Sequence, residues 1–222
     1  MSNKQEEVFA TSEGDQWYER NGKAMDTKKA EADKVIQLLD IVGHQPQRVL
    51  EVGCADGYRL EFFRQRYGSK ATGIEISPAA IEGGKQKYPE IDLSVGSASD
   101  LSQYETGAFD CVIMYGVFVW IDRNLLLRVC AELDRVLADG GIIIISDFYP
   151  DTPRKVDYHH VDDEVWTYKQ DYAAIFRATN LYTEEAHLNF SLATKEVGVG
   201  IEYRDRYCIK ALRKDLDGQY MA

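Results

Sequence analysis

The sequence has no paired cysteine motif, no basic cluster, no internal repeat or low-complexity tract, and no apolar run near the ~20 residues that cross a bilayer. Each absence removes a class of function. The four cysteines, Cys54, Cys111, Cys130 and Cys208, are scattered without a C-x-x-C pair or a histidine at zinc-ligand spacing, so they read as reduced core thiols. Nothing in the residues requires a metal. With 26 bases against 37 acids the formal charge is −11, and the field that gathers a phosphate backbone is missing. Neither nucleic acid nor membrane is therefore an expected partner. The opening stretch MSNKQEEVFATSEGDQ is polar and acidic, unlike a secretory or mitochondrial leader, and the cytoplasm is the expected location.

What is present is a regular alternation of apolar strand-length runs with helical patterns, the mark of a mostly parallel sheet covered by helices. At 222 residues and 45% hydrophobic content the chain suits one core, hence a single domain over residues 1–222, as a monomer or homodimer with a small-molecule partner. A helix over about Asp26 to Ile41 precedes the first strong strand, Arg48 to Val52 (RVLEV). A helix from about Gly57 to Tyr67 follows, then a strand over Ala71 to Ile76. Ser77 and Pro78 read as N-cap and first position of a helix reaching about Tyr88. Further strands are expected at Ile91 to Val95 and Phe109 to Met114. Leu126, Cys130, Leu133 and Leu137 make one apolar stripe on a helix from about Arg123 to Ala138, ended by Asp139-Gly140-Gly141. Ile142 to Ile145 then suits a strand buried on both faces. Beyond Asp147 the stretch PDTPRKVDYHHVDDEVW is polar, aromatic and irregular, before a short helix from about Lys169 to Thr179 and strands at Tyr182 to Ser191 and Ile201 to Leu212.

The stretch VLEVGCADG, Val49 to Gly57, opens a helix at the end of the first strong strand, where an open parallel sheet holds its ligand. Its spacing is G-x-x-x-G rather than the G-x-G-x-x-G of dinucleotide enzymes, and Glu51 places negative charge where a pyrophosphate is unwelcome. A ligand with an ammonium group suits that carboxylate, acting directly or through water, while Gly53, Ala55 and Gly57 let backbone approach closely. Glu75 lies 24 residues beyond Glu51, after the second strand, near the ~20-residue spacing at which an acid grips ribose hydroxyls.

These residues resemble the class I S-adenosylmethionine-dependent methyltransferases. The resemblance rests on EVGCADG for the methionine loop, GIEIS for the ribose acid, GSASDL at 96–101 for the adenine loop, FDCVIMYGVF at 109–118 for the fourth strand, and RVLADGGIIIISD at 135–147. It covers roughly residues 45–150. It implies a Rossmann-like α/β fold with a seven-stranded, mostly parallel sheet, an antiparallel terminal strand and helices on both faces. It also implies S-adenosylmethionine as cofactor, S-adenosylhomocysteine as product, and a binding set of Glu51, Gly53, Cys54, Ala55, Gly57, Glu75, Ile76, Ser97, Ala98, Tyr115 and Gly116. Two positions depart from the pattern. Ala55 stands at the loop's middle glycine, and Ser97 replaces the acid that many relatives turn toward the adenine amine, passing that contact to a backbone carbonyl, Ser99 or Asp100.

On the same resemblance, residues 1–45 form a lid or lead-in, 46–147 the cofactor core, 148–180 an acceptor-site insert and 181–222 a terminal strand pair. Trp17, Tyr18 and Asn21 in the lead either fold over the cofactor or pack outside the sheet. Trp120, Trp166, Tyr168 and Tyr172 are candidates for an aromatic wall over the acceptor, or anchors of the insert. His159 or His160, at most one since neighbours in an extended segment point opposite ways, is a candidate general base. A surface pair is the alternative. EVFATSEGDQWYERN and YHHVDDEVWTYKQDY also resemble small methyltransferases of bacterial glycan and sugar-modification pathways, which implies a sugar or sugar nucleotide as acceptor. A non-catalytic cofactor-binding protein of the same fold and a nicotinamide-dependent oxidoreductase are the rival readings.

Overall fold

The computed structural model describes residues 4–26, 32–161 and 165–218. At the N-terminus α1 (Lys4–Val8) passes through a π-helical turn, Phe9–Glu13, into α2 (Gly14–Asn21). Helix α3 (Lys34–Val42) starts where the Asp33 carboxylate accepts from Val35 N at 2.8 Å, and ends at Gly43 in the left-handed region. The expected helix therefore begins later than Asp26 within the described residues, because Asp33 is its N-cap; positions 27–31 lie outside them.

The core follows as β1 (Arg48–Val52), α4 (Tyr58–Tyr67), β2 (Lys70–Glu75), α5 (Pro78–Lys87), β3 (Asp92–Val95), β4 (Phe109–Tyr115), α6 (Leu126–Val136) and β5 (Leu137–Phe148). Ser77 Oγ accepts from Ala80 N with Pro78 in the first turn, as the Ser-Pro pair predicts. The remainder is β6 (Arg154–Asp157), β7 (Trp166–Lys169), α7 (Ala173–Arg177), β8 (Tyr182–Ser191) and β9 (Arg206–Lys214).

Seven strands make one sheet in the order β3-β2-β1-β4-β5-β9-β8. β1 to β5 run parallel, and β9 is antiparallel to both of its neighbours. Alternate residues of each strand serve opposite faces. Leu50, Val52, Val112, Met114, Ile143 and Ile145 pack with α6 and α7, while Val49, Cys111, Ile113, Ile142 and Ile144 pack with α3 and α4. Each fully buried aliphatic side chain contributes ~1.5–3 kcal/mol through removal from water, which sets the register of the central strands. All four cysteines are buried and free.

Three boundaries differ from the sequence expectations. Asp139-Gly140-Gly141 does not end α6; it is a kink within β5, where the pairing with β4 shifts register and Gly140 takes φ +73°. The insert is less irregular than its composition suggests, because β6 and β7 form an antiparallel ribbon in which Lys155 Nζ sits 3.6 Å from the Trp166 ring centroid. This ribbon takes up Lys169 and leaves α7 only five residues. β9 starts at Arg206 because Asp205 closes the connection from β8, accepting from Ala193 N at 2.9 Å.

Gly73, in the middle of β2, has no room for a side chain: a Cβ there would lie 2.5 Å from Cys54 Sγ and 2.7 Å from Leu93 Cδ2. Gly73→Ala is expected to lose ~1–3 kcal/mol of stability by overpacking, read as a lower urea midpoint at unchanged slope.

Candidate functional site

The carboxyl ends of β1, β2 and β4 and the loop after β3 form the floor of a cavity of about 830 Å³, a volume that includes its opening to solvent. At its centre is Glu75, the last residue of β2. Its Oε2 accepts from Ala55 N at 3.0 Å and its Oε1 from Ser77 N at 3.0 Å, so one carboxylate ties the β1 turn to the start of α5. Burial raises its pKa above the ordinary carboxyl range, against the lowering by these backbone donors.

The turn after β1 puts Gly53, Ala55 and Gly57 all at positive φ, +77°, +50° and +79°. A Cβ on Gly53 would stand 2.3 Å from Val117 Cγ2, and one on Gly57 3.0 Å from Leu93 Cδ2. Ala55, where the resemblance has glycine, bears the ~1–2 kcal/mol cost of a left-handed L-residue, offset in part by its bond to Glu75.

The roof is the N-terminal segment. Asp122 accepts from Gln5 N and Glu6 N, Gln5 Nε2 donates to Trp120 O at 2.8 Å, and Ser97 Oγ and Ser99 Oγ both donate to Glu6 Oε1. Asp15 accepts from Ser77 Oγ and Ala79 N, and Tyr18 OH donates to Asp56, which also pairs with Lys87. Phe9 stacks on Trp120 at 5.3 Å, and Trp17 meets the edge of the same indole at 6.4 Å.

Of the residues singled out from sequence, Gly53, Glu75, Ile76, Ser97, Ala98, Tyr115, Gly116, Trp17 and Trp120 all line this one cavity. Ala55, Cys54 and Gly57 shape the turn from behind. Tyr18 braces the lid through Asp56, and Asn21 is exposed with its amide on Trp17 O. Trp166 and Tyr168 lie on β7, facing Lys155 and Arg123 rather than lining the cavity. Tyr172 is 1% exposed, stacked on Phe118 and bonded to Tyr168 O; it is a core residue, because the aromatic pairing buries it. His159 and His160 are exposed, their rings 4.0 Å apart, and neither lines the cavity. Sequence reasoning missed Glu6, Phe9 and Asp122, which only the folded lid brings to the site.

Glu51 takes a different partner from the one its position suggests. It is buried beneath the turn, paired through Oε1 with Arg59, which also meets Asp33 at 2.9 Å. Oε2 is buried without a hydrogen-bond partner among the described residues, and Glu51 does not line the cavity. Burial outweighs the shared Arg59 charge and pushes the Glu51 pKa up to about 7. Asp147, at the end of β5, is raised to about 8 by burial while holding Val119 N at 3.2 Å, which fixes the turn carrying Trp120.

An acid at the end of β2 beside a left-handed turn, with an aromatic end under a lid, forms one site at the carboxyl edge of an open α/β sheet. Residues 49–141 match a family model described as a methyltransferase domain. The chain is 33% identical over 125 residues to a dTDP-4-amino-2,3,4,6-tetradeoxy-D-glucose N,N-dimethyltransferase of Saccharopolyspora spinosa, across 55% of this chain and 49% of that protein. It is 27% identical to a malonyl-[acyl-carrier protein] O-methyltransferase of Coxiella burnetii, across 60% and 45%. The chain thus spans about half the length of these curated relatives. In fold it is similar to 1,6-didemethyltoxoflavin-N1-methyltransferase of Burkholderia thailandensis, solved with S-adenosylhomocysteine, with a TM-score of 0.72 at 16% identity over 97% of this chain and 91% of that one. The sheet core thus carries the methyltransferase-domain match, on a fold shared with that solved methyltransferase.

Because the folded chain holds a proton on Glu51 more tightly than the ordinary 4.5, that group stabilises the fold fully below pH 4.5 and loses its contribution as pH rises through about 7. Glu51→Gln mimics the protonated form. Without ligand, its stability is expected to fall less than the parent's between pH 5 and pH 8, whatever the constant cost of uncoupling Arg59, checked by paired thermal melts.

Proposed function

We propose that the protein transfers a methyl group from S-adenosylmethionine to a nitrogen or oxygen of a small molecule. The observation that carries this is one continuous cavity in which Glu75 and the left-handed turn occupy one part and Trp17, Trp120 and Phe9 another. The cofactor, when bound, supplies a methyl already made electrophilic by its sulfonium. Glu75 has lone pairs beyond the two that its backbone donors occupy, and these suit ribose hydroxyls. Glu51, beneath the turn and outside the cavity lining, acts on the ammonium end through water or through the turn. The lid and the indoles exclude water and hold the acceptor in line, and such positioning can supply ~7–11 kcal/mol of the barrier.

Nitrogen is the better supported acceptor atom. Among the described residues no histidine or lysine lines the cavity, and an amine that enters as the free base needs no proton removed before attack. The named activity of the Saccharopolyspora relative on an amino sugar nucleotide points the same way, toward sugars or sugar nucleotides of a glycan or natural-product pathway. Incubation with labelled cofactor and a panel of amino sugars, amino sugar nucleotides and their hydroxyl analogues is expected to label the amines, identified by mass spectrometry; label confined to hydroxyl compounds overturns the preference.

Glu75→Ala should weaken S-adenosylhomocysteine binding by about tenfold or more in calorimetry, since charge-assisted hydrogen bonds to the ribose are lost. Tight NAD binding without a response to S-adenosylhomocysteine overturns the methyltransferase reading in favour of an oxidoreductase.

A further inference from the structure

The end of the cavity over β3 is completed by a residue from the far end of the chain. Gly96 N donates to Glu75 O at 2.9 Å, so the loop after β3 is the immediate neighbour of the Glu75 carboxylate, one strand spacing of ~4.8 Å away. A base attached to a ribose at Glu75 has that loop as its floor. Yet no acid of the loop faces the cavity: Ser97, Ala98 and Ser99 line it, while Asp100 is exposed and accepts from Ser102 N at 3.1 Å. The acid there is Glu6, from α1.

We propose that Glu6 recognises the base of the bound nucleoside, accepting a hydrogen bond from the exocyclic amine of adenine. Helix α1 is then part of the cofactor site and not only its cover. The inference rests on the cofactor reading above. Both serine hydroxyls donate to Glu6 Oε1, and Ser99 N donates back to Ser97 Oγ at 3.0 Å, so the loop turns its donors toward the helix. A carboxylate has about four lone-pair sites, and two hydroxyl donors leave it able to accept again. Its position is fixed, since Asp122 accepts from Glu6 N at 2.9 Å and Gln5 is held by Trp120 O and Trp166 N. Ile76, Ala98 and Phe9 line the same cavity and offer apolar surface to a flat ring. An acceptor-only group at this place favours a 6-amino purine, which donates, over a 6-oxo purine, which presents lone pairs to lone pairs.

The test is calorimetric binding of S-adenosylhomocysteine and its deaminated analogue, S-inosylhomocysteine, to the whole chain and its variants, with thermal melts to confirm folding. The parent is expected to prefer the amino compound by about tenfold or more. In Glu6→Ala that preference should shrink to about threefold or less, chiefly through weaker binding of the amino compound. In Glu6→Gln, whose amide both donates and accepts, it should shrink through tighter binding of the oxo compound. The double variant Glu6→Ala with Ser97→Asp should regain the preference by returning an acid from the loop. If both Glu6 variants weaken the two ligands equally and leave the ratio as in the parent, Glu6 only fastens the lid and the inference is overturned. Loss of binding in Glu75→Ala alongside such an unchanged ratio leaves the cofactor reading standing. A parent that binds neither compound overturns both.

Discussion

The site depends on a carboxylate that bonds to backbone. Glu75 ties together the end of β2, the left-handed turn at Ala55 and the entry to α5 at Ser77, adding to the backbone bonds from Gly53 N and Cys54 N to Ile74 O. A turn with positive φ at positions 53, 55 and 57 has few internal hydrogen bonds to hold it, and an alanine at its centre is strained. The bond from Ala55 N to Glu75 compensates both. The same bond means that the group expected to hold a ribose is oriented before any ligand arrives, so less ordering entropy is lost on binding.

Burial of acids at the carboxyl edge of the sheet extends this theme. Glu51 and Asp147 terminate or nearly terminate β1 and β5, both almost fully buried, and both have pKa values pushed up toward neutrality. Arg59 answers Glu51 and Asp33 together, so the cluster has more carboxyl than guanidinium. Glu51 and Asp147 both sit behind the cavity lining, so they bias the strand ends electrostatically rather than by contact.

Most of the fold was legible because central parallel strands are apolar on both faces. RVLEV and FDCVIM, bounded by Gly and Pro, leave little choice of element, and their order determines the topology. The floor of the site was legible for a related reason: Glu75 and Gly53 are fixed to strand ends, so spacing along the chain becomes spacing across the sheet. The roof was not. Glu6, Phe9 and Asp122 act through contacts more than a hundred residues apart, and no periodicity records them. Tyr172 misled because an aromatic in a polar insert looks the same whether it faces a ligand or stacks on Phe118. The position of Glu51 alone does not reveal Arg59, eight residues on and second in α4.

The β6–β7 ribbon pairs with no strand of the large sheet. It is tied to the lid, where Trp166 N donates to Gln5 Oε1, Tyr158 OH donates to Glu13, and Phe9, Tyr158 and Val165 cluster, and to the core, where Tyr172 OH donates to Tyr168 O and Lys169 lies over the Phe148 ring. Ribbon and lid are therefore one packing unit resting on another. Segments 161 residues apart at Gln5 and Trp166 are then coupled, since altering one strips an apolar face from its mate. A graft of either segment between relatives has to carry both to keep that packing, while the sheet and its glycine turn can stay as they are.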